Sequence, residues 1–180
     1  MTNCGKPRSN RYSRLVRVYV PATIGMLQQL VADQSLHARS GTAFAVTPTL
    51  RESYAEGDED ELGEVALREA ALASLRLLAA EGTSSLPPRR VVVVVEVEDA
   101  TARPDLDDAV VRLAGPVAFG DVVAAYVDNS DAEPAVRPAV EAIDAADLGD
   151  EDADFIVGDA QDHDLAWYAP QELPFLLELL

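Results

Sequence analysis

Four residues near the C-terminus have side chains that could hold a metal ion: Asp159, Asp162, His163 and Asp164. Carboxylates and an imidazole suit Mg²⁺, Mn²⁺ or Zn²⁺, and a bound divalent metal would activate water for hydrolysis. The cluster precedes an apolar segment, Leu165 to Ala169, that reads as a strand, so it would stand at a sheet end. A strand turns neighbouring side chains to opposite faces, which works against convergence. One imidazole is thin support for zinc, and a solvated acidic loop explains the same residues. Asp150, Asp152 and Asp154 alternate like the start of a calcium loop, but Phe155 stands where that loop needs glycine and Gln161 where it needs a bidentate glutamate. An EF-hand is excluded.

Other chemistry is poorly supplied. The histidines are His37 and His163, the sole lysine is Lys6 and the sole cysteine is Cys4. No spacing supports a Ser-His-Asp triad, and a desolvated Schiff-base lysine has no candidate outside the N-terminal arm. There is no phosphate loop, no G-x-G-x-x-G and no G-x-S-x-G elbow. Asp105, Asp107 and Asp108 follow Arg103-Pro104 and read as turn residues. Asp58 with Glu61 reads as an acidic helix start. No cofactor is implied beyond a divalent metal at the Asp159–Asp164 cluster.

The 180 residues carry a formal net charge of −18. From Glu96 onward, 22 Asp and Glu face three arginines, so the acidity is concentrated in the second half. Such a surface repels phosphate backbones and anionic membranes, and it draws basic partners. Lys6, Arg8, Arg11, Tyr12 and Arg14 give residues 1–15 the composition of a disordered basic arm. Four charges confer little nucleic-acid affinity at physiological salt. No apolar run is long enough to span a bilayer and no signal peptide is evident, so the expectation is a cytoplasmic protein. The apolar C-terminus offers a different use. Trp167, Tyr168, Phe175 and Leu176 are the types that anchor protein interfaces, so a protein partner or a homodimer is expected there.

These residues need elements to position them. Val16, Val18 and Val20 alternate as a strand that Pro21 would close, and Thr23 caps a following helix. Thr47-Pro48 opens a short helix and Asp58 a long alanine-rich one that Gly82 stops. The valine run 91–95 reads as a central strand covered on both faces. Further strands are expected over 109–114, 122–127 and 165–169, with helices over 132–146 and 170–180. Pro138 should kink or split the former, and 147–164 reads as an acidic connection. The fold expected is α+β: a single domain over 16–180 with a ferredoxin-like β-α-β-β-α-β core and a helical insert after the first helix. A three-layer α/β open sheet is the alternative.

The stretches Arg17-Val-Tyr-Val-Pro-Ala-Thr23, Gly41-Thr-Ala-Phe-Ala-Val-Thr-Pro48 and Trp167-Tyr-Ala-Pro-Gln-Glu-Leu-Pro-Phe-Leu-Leu177 resemble a family of short acidic actinobacterial proteins of unknown function. The resemblance runs from about Val16 to the end. It implies a bacterial cytoplasmic protein that begins near the first strand, and it transfers no catalytic residue. The leading functional reading is a noncatalytic protein-interaction or regulatory module. The alternative is a metal-dependent, hydrolase-like enzyme using the Asp159–Asp164 cluster.

Overall fold

The computed structural model describes residues 15–180. The arm and Cys4 therefore lie outside the described residues, apart from Leu15. The strands are β1 (Val16–Ala22), β2 (Ser35–Leu36), β3 (Thr42–Phe44), β4 (Val91–Val97), β5 (Ala100–Ala102), β6 (Val110–Leu113), β7 (Val117–Ala118), β8 (Val122–Val127) and β9 (Ala166–Tyr168). The helices are α1 (Ile24–Asp33), α2 (Pro48–Ser53), α3 (Glu59–Glu81), α4 (Glu133–Asp147), α5 (Glu151–Gln161) and α6 (Leu173–Glu178).

Mixed helix and sheet is as expected, but the topology differs. Seven strands form one sheet in the order β5-β6-β3-β1-β4-β8-β9, and β2 pairs separately with β7. A ferredoxin-like core would interleave its strands. Here β1, β4, β8 and β9 lie side by side in chain order. Every pairing is antiparallel, which also departs from an open sheet with parallel neighbours. The strands that extend the sheet beyond β1 are only three or four residues long.

Side-chain alternation divides the sheet into two buried faces. On the first, Val18, Val20, Val91, Val93, Val95, Ala125 and Val127 pack with Ile24, Leu27 and Leu30 of α1 and Leu173 and Leu176 of α6. On the second, Val92, Phe44 and Val110 pack with Leu62, Ala66, Ala70 and Ala71 of α3, and Tyr19 and Tyr126 join them. The valine run is buried throughout, as a strand sandwiched between helices must be. A hairpin of α4 and α5 packs on the far part of α3 through Leu75, Val136, Ala139, Ile143, Val157 and Ala160.

Proline behaves differently from expectation twice. Pro21 does not close β1; it pairs in register with Val92. The β3 ladder touches β1 only at Tyr19, so β1 is unpaired on that side at Pro21 and a missing N–H there forfeits no ladder bond. Pro138 sits inside an unbroken α4. It lies on the exposed face, while Val136, Ala139 and Ile143 hold the buried face in place. The segment 147–164 is mostly α5. Asp150 caps it by accepting from the Ala153 amide at 2.9 Å, and Glu151, Asp152 and Asp154 fill its first turn. Acids favour a helix N-terminus, which is why the run reads as a loop by composition yet folds as a helix.

Ser74 of α3 is fully buried and clamps the sheet to the helix. Its hydroxyl donates to the Ala22 carbonyl at 2.7 Å and accepts from the Val91 amide at 3.0 Å. Ala22 and Val91 are the last partners of the β1–β4 ladder. Ser74→Ala strands both backbone groups, and the expected loss is about 1–3 kcal/mol of unfolding free energy. Urea denaturation checks this, with Ser85→Ala in the exposed loop after α3 as a control that stays within about 0.5 kcal/mol.

Candidate functional site

The sequence candidates for metal binding do not converge. Asp159 lies on the exposed side of α5, Asp162 caps the end of α5, and His163 and Asp164 occupy the turn leading to β9. Among the described residues, no group of three or more His, Cys, Asp or Glu is placed to hold one metal ion. Neighbours in sequence are separated here because a helix end and a turn aim them apart. Asp105 is bound by the guanidinium of Arg103 at 2.7 and 2.9 Å, and Asp108 accepts from the Ser53 hydroxyl at 2.6 Å. Both close the turn between β5 and β6.

The turn after α5 is held by an interaction that the sequence reading missed. Arg90 and Asp128 are 1% and 0% exposed. Arg90 Nε and Nη2 donate to the two carboxylate oxygens of Asp128, each at 2.8 Å, and the Arg90 amide donates to Asp128 Oδ2 at 2.8 Å. Nη1 donates to Gln161 Oε1 at 2.9 Å and Nη2 to the His163 carbonyl at 2.8 Å. Gln161 in turn donates from Nε2 to the Arg68 carbonyl of α3 at 3.2 Å. One guanidinium thus ties together the ends of β4 and β8, the end of α5 and the start of β9. A signal was present: Arg90 directly precedes the valine run and Asp128 directly follows the strand 122–127. Opposite charges at facing strand ends form a pair when the strands are antiparallel neighbours.

The apolar C-terminus splits in two. Leu176 is 8% exposed and belongs to the first-face core, with Tyr168 packed against it, so these two are structural rather than surface residues. The helical spacing of Leu173 and Leu176 turns Phe175, 68% exposed, to solvent. Trp167 is 57% exposed, follows the opposite alternation to Tyr168, and so stands on the second face. It pairs in register with Tyr126, on the outermost strand of the sheet. Trp167 and Phe175 therefore do not share one patch.

Beside Trp167 the second face is open. Tyr126 lines a groove of about 690 Å³ with Tyr19, Val46, Leu67 and the polar residues Arg17, Arg51, Glu59, Asp60 and Glu64. Glu64 and Leu67 also line an adjoining cleft of about 290 Å³ that reaches Arg68, His163, Asp164 and Leu165. Arg51 pairs with Glu59, and Arg17 lies 3.4 Å from Glu96. Asp60 and Glu64, one turn apart on α3, have no ion-pair partner among the described residues. The groove thus has an aromatic floor and an acidic helix wall. Burial holds the Tyr19 phenol above its ordinary value of 10.0; Tyr126, Asp60 and Glu59 push the same way and Arg17 opposes.

The sequence model of a family of unknown function (DUF6912) matches residues 16–177. No curated protein matches the chain, and no solved structure matches it. No helix among the described residues is long and apolar enough to cross a membrane.

Two measurements check the geometry. Asp128→Asn or Arg90→Met leaves a buried partner uncompensated and should lower unfolding free energy by about 3–5 kcal/mol, with the double variant losing less than the sum. Urea denaturation of the cycle reads this directly. Raising a phenol's folded pKa favours its neutral form, so the Tyr19 contribution is intact below pH 10.0 and is lost as pH climbs through the raised value. Tyr19→Phe should remove the late-ionising phenol from the tyrosinate absorbance curve and flatten that alkaline loss of stability.

Proposed function

The chain belongs to this family of unknown function, and we propose that it serves as a noncatalytic interaction module. Its docking surface is the open strip of the second face at β8 and β9. Trp167 carries this reading: it is the only tryptophan in the chain, and it stands more than half exposed beside an acid-walled groove. Tryptophan is enriched among residues that dominate binding energy, because its large ring gains much when desolvated.

The occupant is a basic segment of another protein. A second copy, itself of net charge −18, would be repelled by the acidic wall, whereas a basic partner is drawn in by it. Cross-strand Tyr126 extends the apolar contact from Trp167 into the groove, and Asp60 and Glu64 supply the opposing charge. The interaction reading is preferred to the metal-dependent one because no group of three or more His, Cys, Asp or Glu among the described residues is placed to hold a metal ion.

Emission from the single tryptophan reports on the strip directly. A short peptide of alternating Lys and Val should cause a saturable blue shift at physiological ionic strength, weakened by added salt. A matching Asp and Val peptide should cause none. By calorimetry, Trp167→Ala should weaken the Lys peptide by about tenfold or more. Equal responses to the two peptides, no saturable response to either, or undiminished binding by Trp167→Ala would overturn the reading.

A further inference from the structure

We infer that the groove between α3 and Tyr19–Tyr126 is a subsite for one cationic side chain, a lysine ammonium or an arginine guanidinium. This rests on the interaction reading above and deepens it by naming the group that the partner inserts.

The lining carries two arginines and three carboxylates. Arg51 is neutralised by Glu59, and Arg17 is engaged with Glu96 on the neighbouring strand β4. Among the described residues, the lining carboxylates without an ion-pair partner are Asp60 and Glu64. They stand at i and i+4 on α3 and so project from one side of the helix. Arg68, the next residue in that row, lines the adjoining cleft and is not within ion-pair distance of Glu64. Opposite this wall are the rings of Tyr19 and Tyr126, both half-buried on the second face. Aromatic faces attract cations, and the attraction grows when water is displaced. Carboxylates on one side and aromatic rings on the other therefore make a site for an organic cation with an apolar stem.

Gly63 sets the spacing of the two walls. A Cβ at that position would lie 3.0 Å from the Tyr19 hydroxyl. Glycine inside a helix costs about 1 kcal/mol relative to alanine. Here it lets α3 approach the Tyr19 hydroxyl closely, and the exposed Asp60 and Glu64 on either side of it line the groove. Leu67 closes the far side and offers apolar surface to an aliphatic stem.

The test uses the full chain and small cations as probes. Methylguanidinium and methylammonium chloride are titrated against sodium chloride at matched ionic strength while the tyrosine ring resonances are followed by NMR, assigned with Tyr19→Phe and Tyr126→Phe. At least one organic cation should shift the Tyr19 and Tyr126 rings saturably, and the ratio of the two affinities separates a guanidinium from an ammonium site. The double variant Asp60→Asn/Glu64→Gln, with both changes on an exposed helix face, should weaken this about tenfold. Phe175→Ala, exposed and away from this face, should leave it unchanged. No saturable shift beyond sodium, a shift confined to other tyrosines, or full binding by the double variant would overturn the subsite. The Lys and Val peptide separates the two claims. If it binds wild type and the double variant equally, the Trp167 contact stands and both the cation subsite and the charge role of Asp60 and Glu64 fall. If the small cations bind and the peptide does not, the subsite stands without the docking strip.

Discussion

The buried pair of Arg90 and Asp128 is the constraint on which the surrounding architecture depends. Two charges removed from water carry a desolvation cost of several kcal/mol each, which only dense hydrogen bonding offsets. The structure meets that demand: the carboxylate accepts three bonds from Arg90, and the guanidinium reaches Gln161 and the His163 carbonyl as well. The Asp128 amide returns a bond to the Arg90 carbonyl at 3.1 Å, extending the β4–β8 ladder by one step beyond the Val91–Val127 pair. A register slip between these strands would turn one charge into the core unpaired. The pair therefore fixes which residues of β8 face which side, and so places Tyr126 on the second face. Through His163 it also fixes where the chain enters β9, and so places Trp167 across from Tyr126.

Acidity in this chain is largely consumed by local structure. Asp58 accepts from the Glu61 amide at 2.9 Å at the start of α3, and Asp150 does the same for α5. Glu59, Asp60 and Glu61 crowd the first turn of α3, and Glu151, Asp152 and Asp154 that of α5. These positions are favourable for anions whatever the protein does. Asp147 is held below its ordinary value by its hydrogen bonds from Arg76, at 2.8 and 2.9 Å, which pin the end of α4 to α3. Carboxylates also line the concave surfaces, and in the groove beside Tyr126 these are Glu59, Asp60 and Glu64.

This distribution explains what was legible in the sequence. The valine run, the caps at Thr23, Thr47 and Asp58, and the stop at Gly82 are local signals with local causes, and each reappears in the structure. The acidic run 147–164 misleads because its apolar residues Ala153, Val157 and Ala160 are small and sparse, though their spacing is helical. Strands β2, β3, β5 and β7 are too short for an alternation to show, so the sheet's extent and order were out of reach. Of the interaction residues, Trp167 and Tyr168 are adjacent in sequence yet belong to opposite faces, and Leu176 is a core residue. A composition-based reading of the C-terminus cannot separate these roles until strand and helix phases are known. Arg90 and Asp128 were passed over because each looks like an ordinary strand-flanking charge until the pairing of β4 with β8 brings them together.

The open groove follows from how the helices share the second face. α3 is roughly 34 Å long at 1.5 Å per residue, and it uses its two halves differently. Leu62, Ala66 and Ala70 press its length onto the sheet. Leu72, Leu75, Leu78 and Ala79, all in the C-terminal half, take the α4–α5 hairpin. That hairpin is anchored at the Arg90 end by Gln161 and packs on the C-terminal half of α3, so no residue of it lines the groove beside residues 60–67, where α2 contributes only Arg51. Along that flank the chain places aromatic residues below and carboxylates above, where a protein sealing its surface would place aliphatic side chains beneath another helix. Tyr19 and Tyr126 tolerate this position because each has an apolar ring for the core and a hydroxyl for water. Trp167 has only its indole N–H to offer water, and more than half of its large ring stays exposed. The same fold that buries all five valines of the central run thus leaves its single tryptophan exposed across from Tyr126, which lines the acid-walled groove, a placement that an external partner would complete.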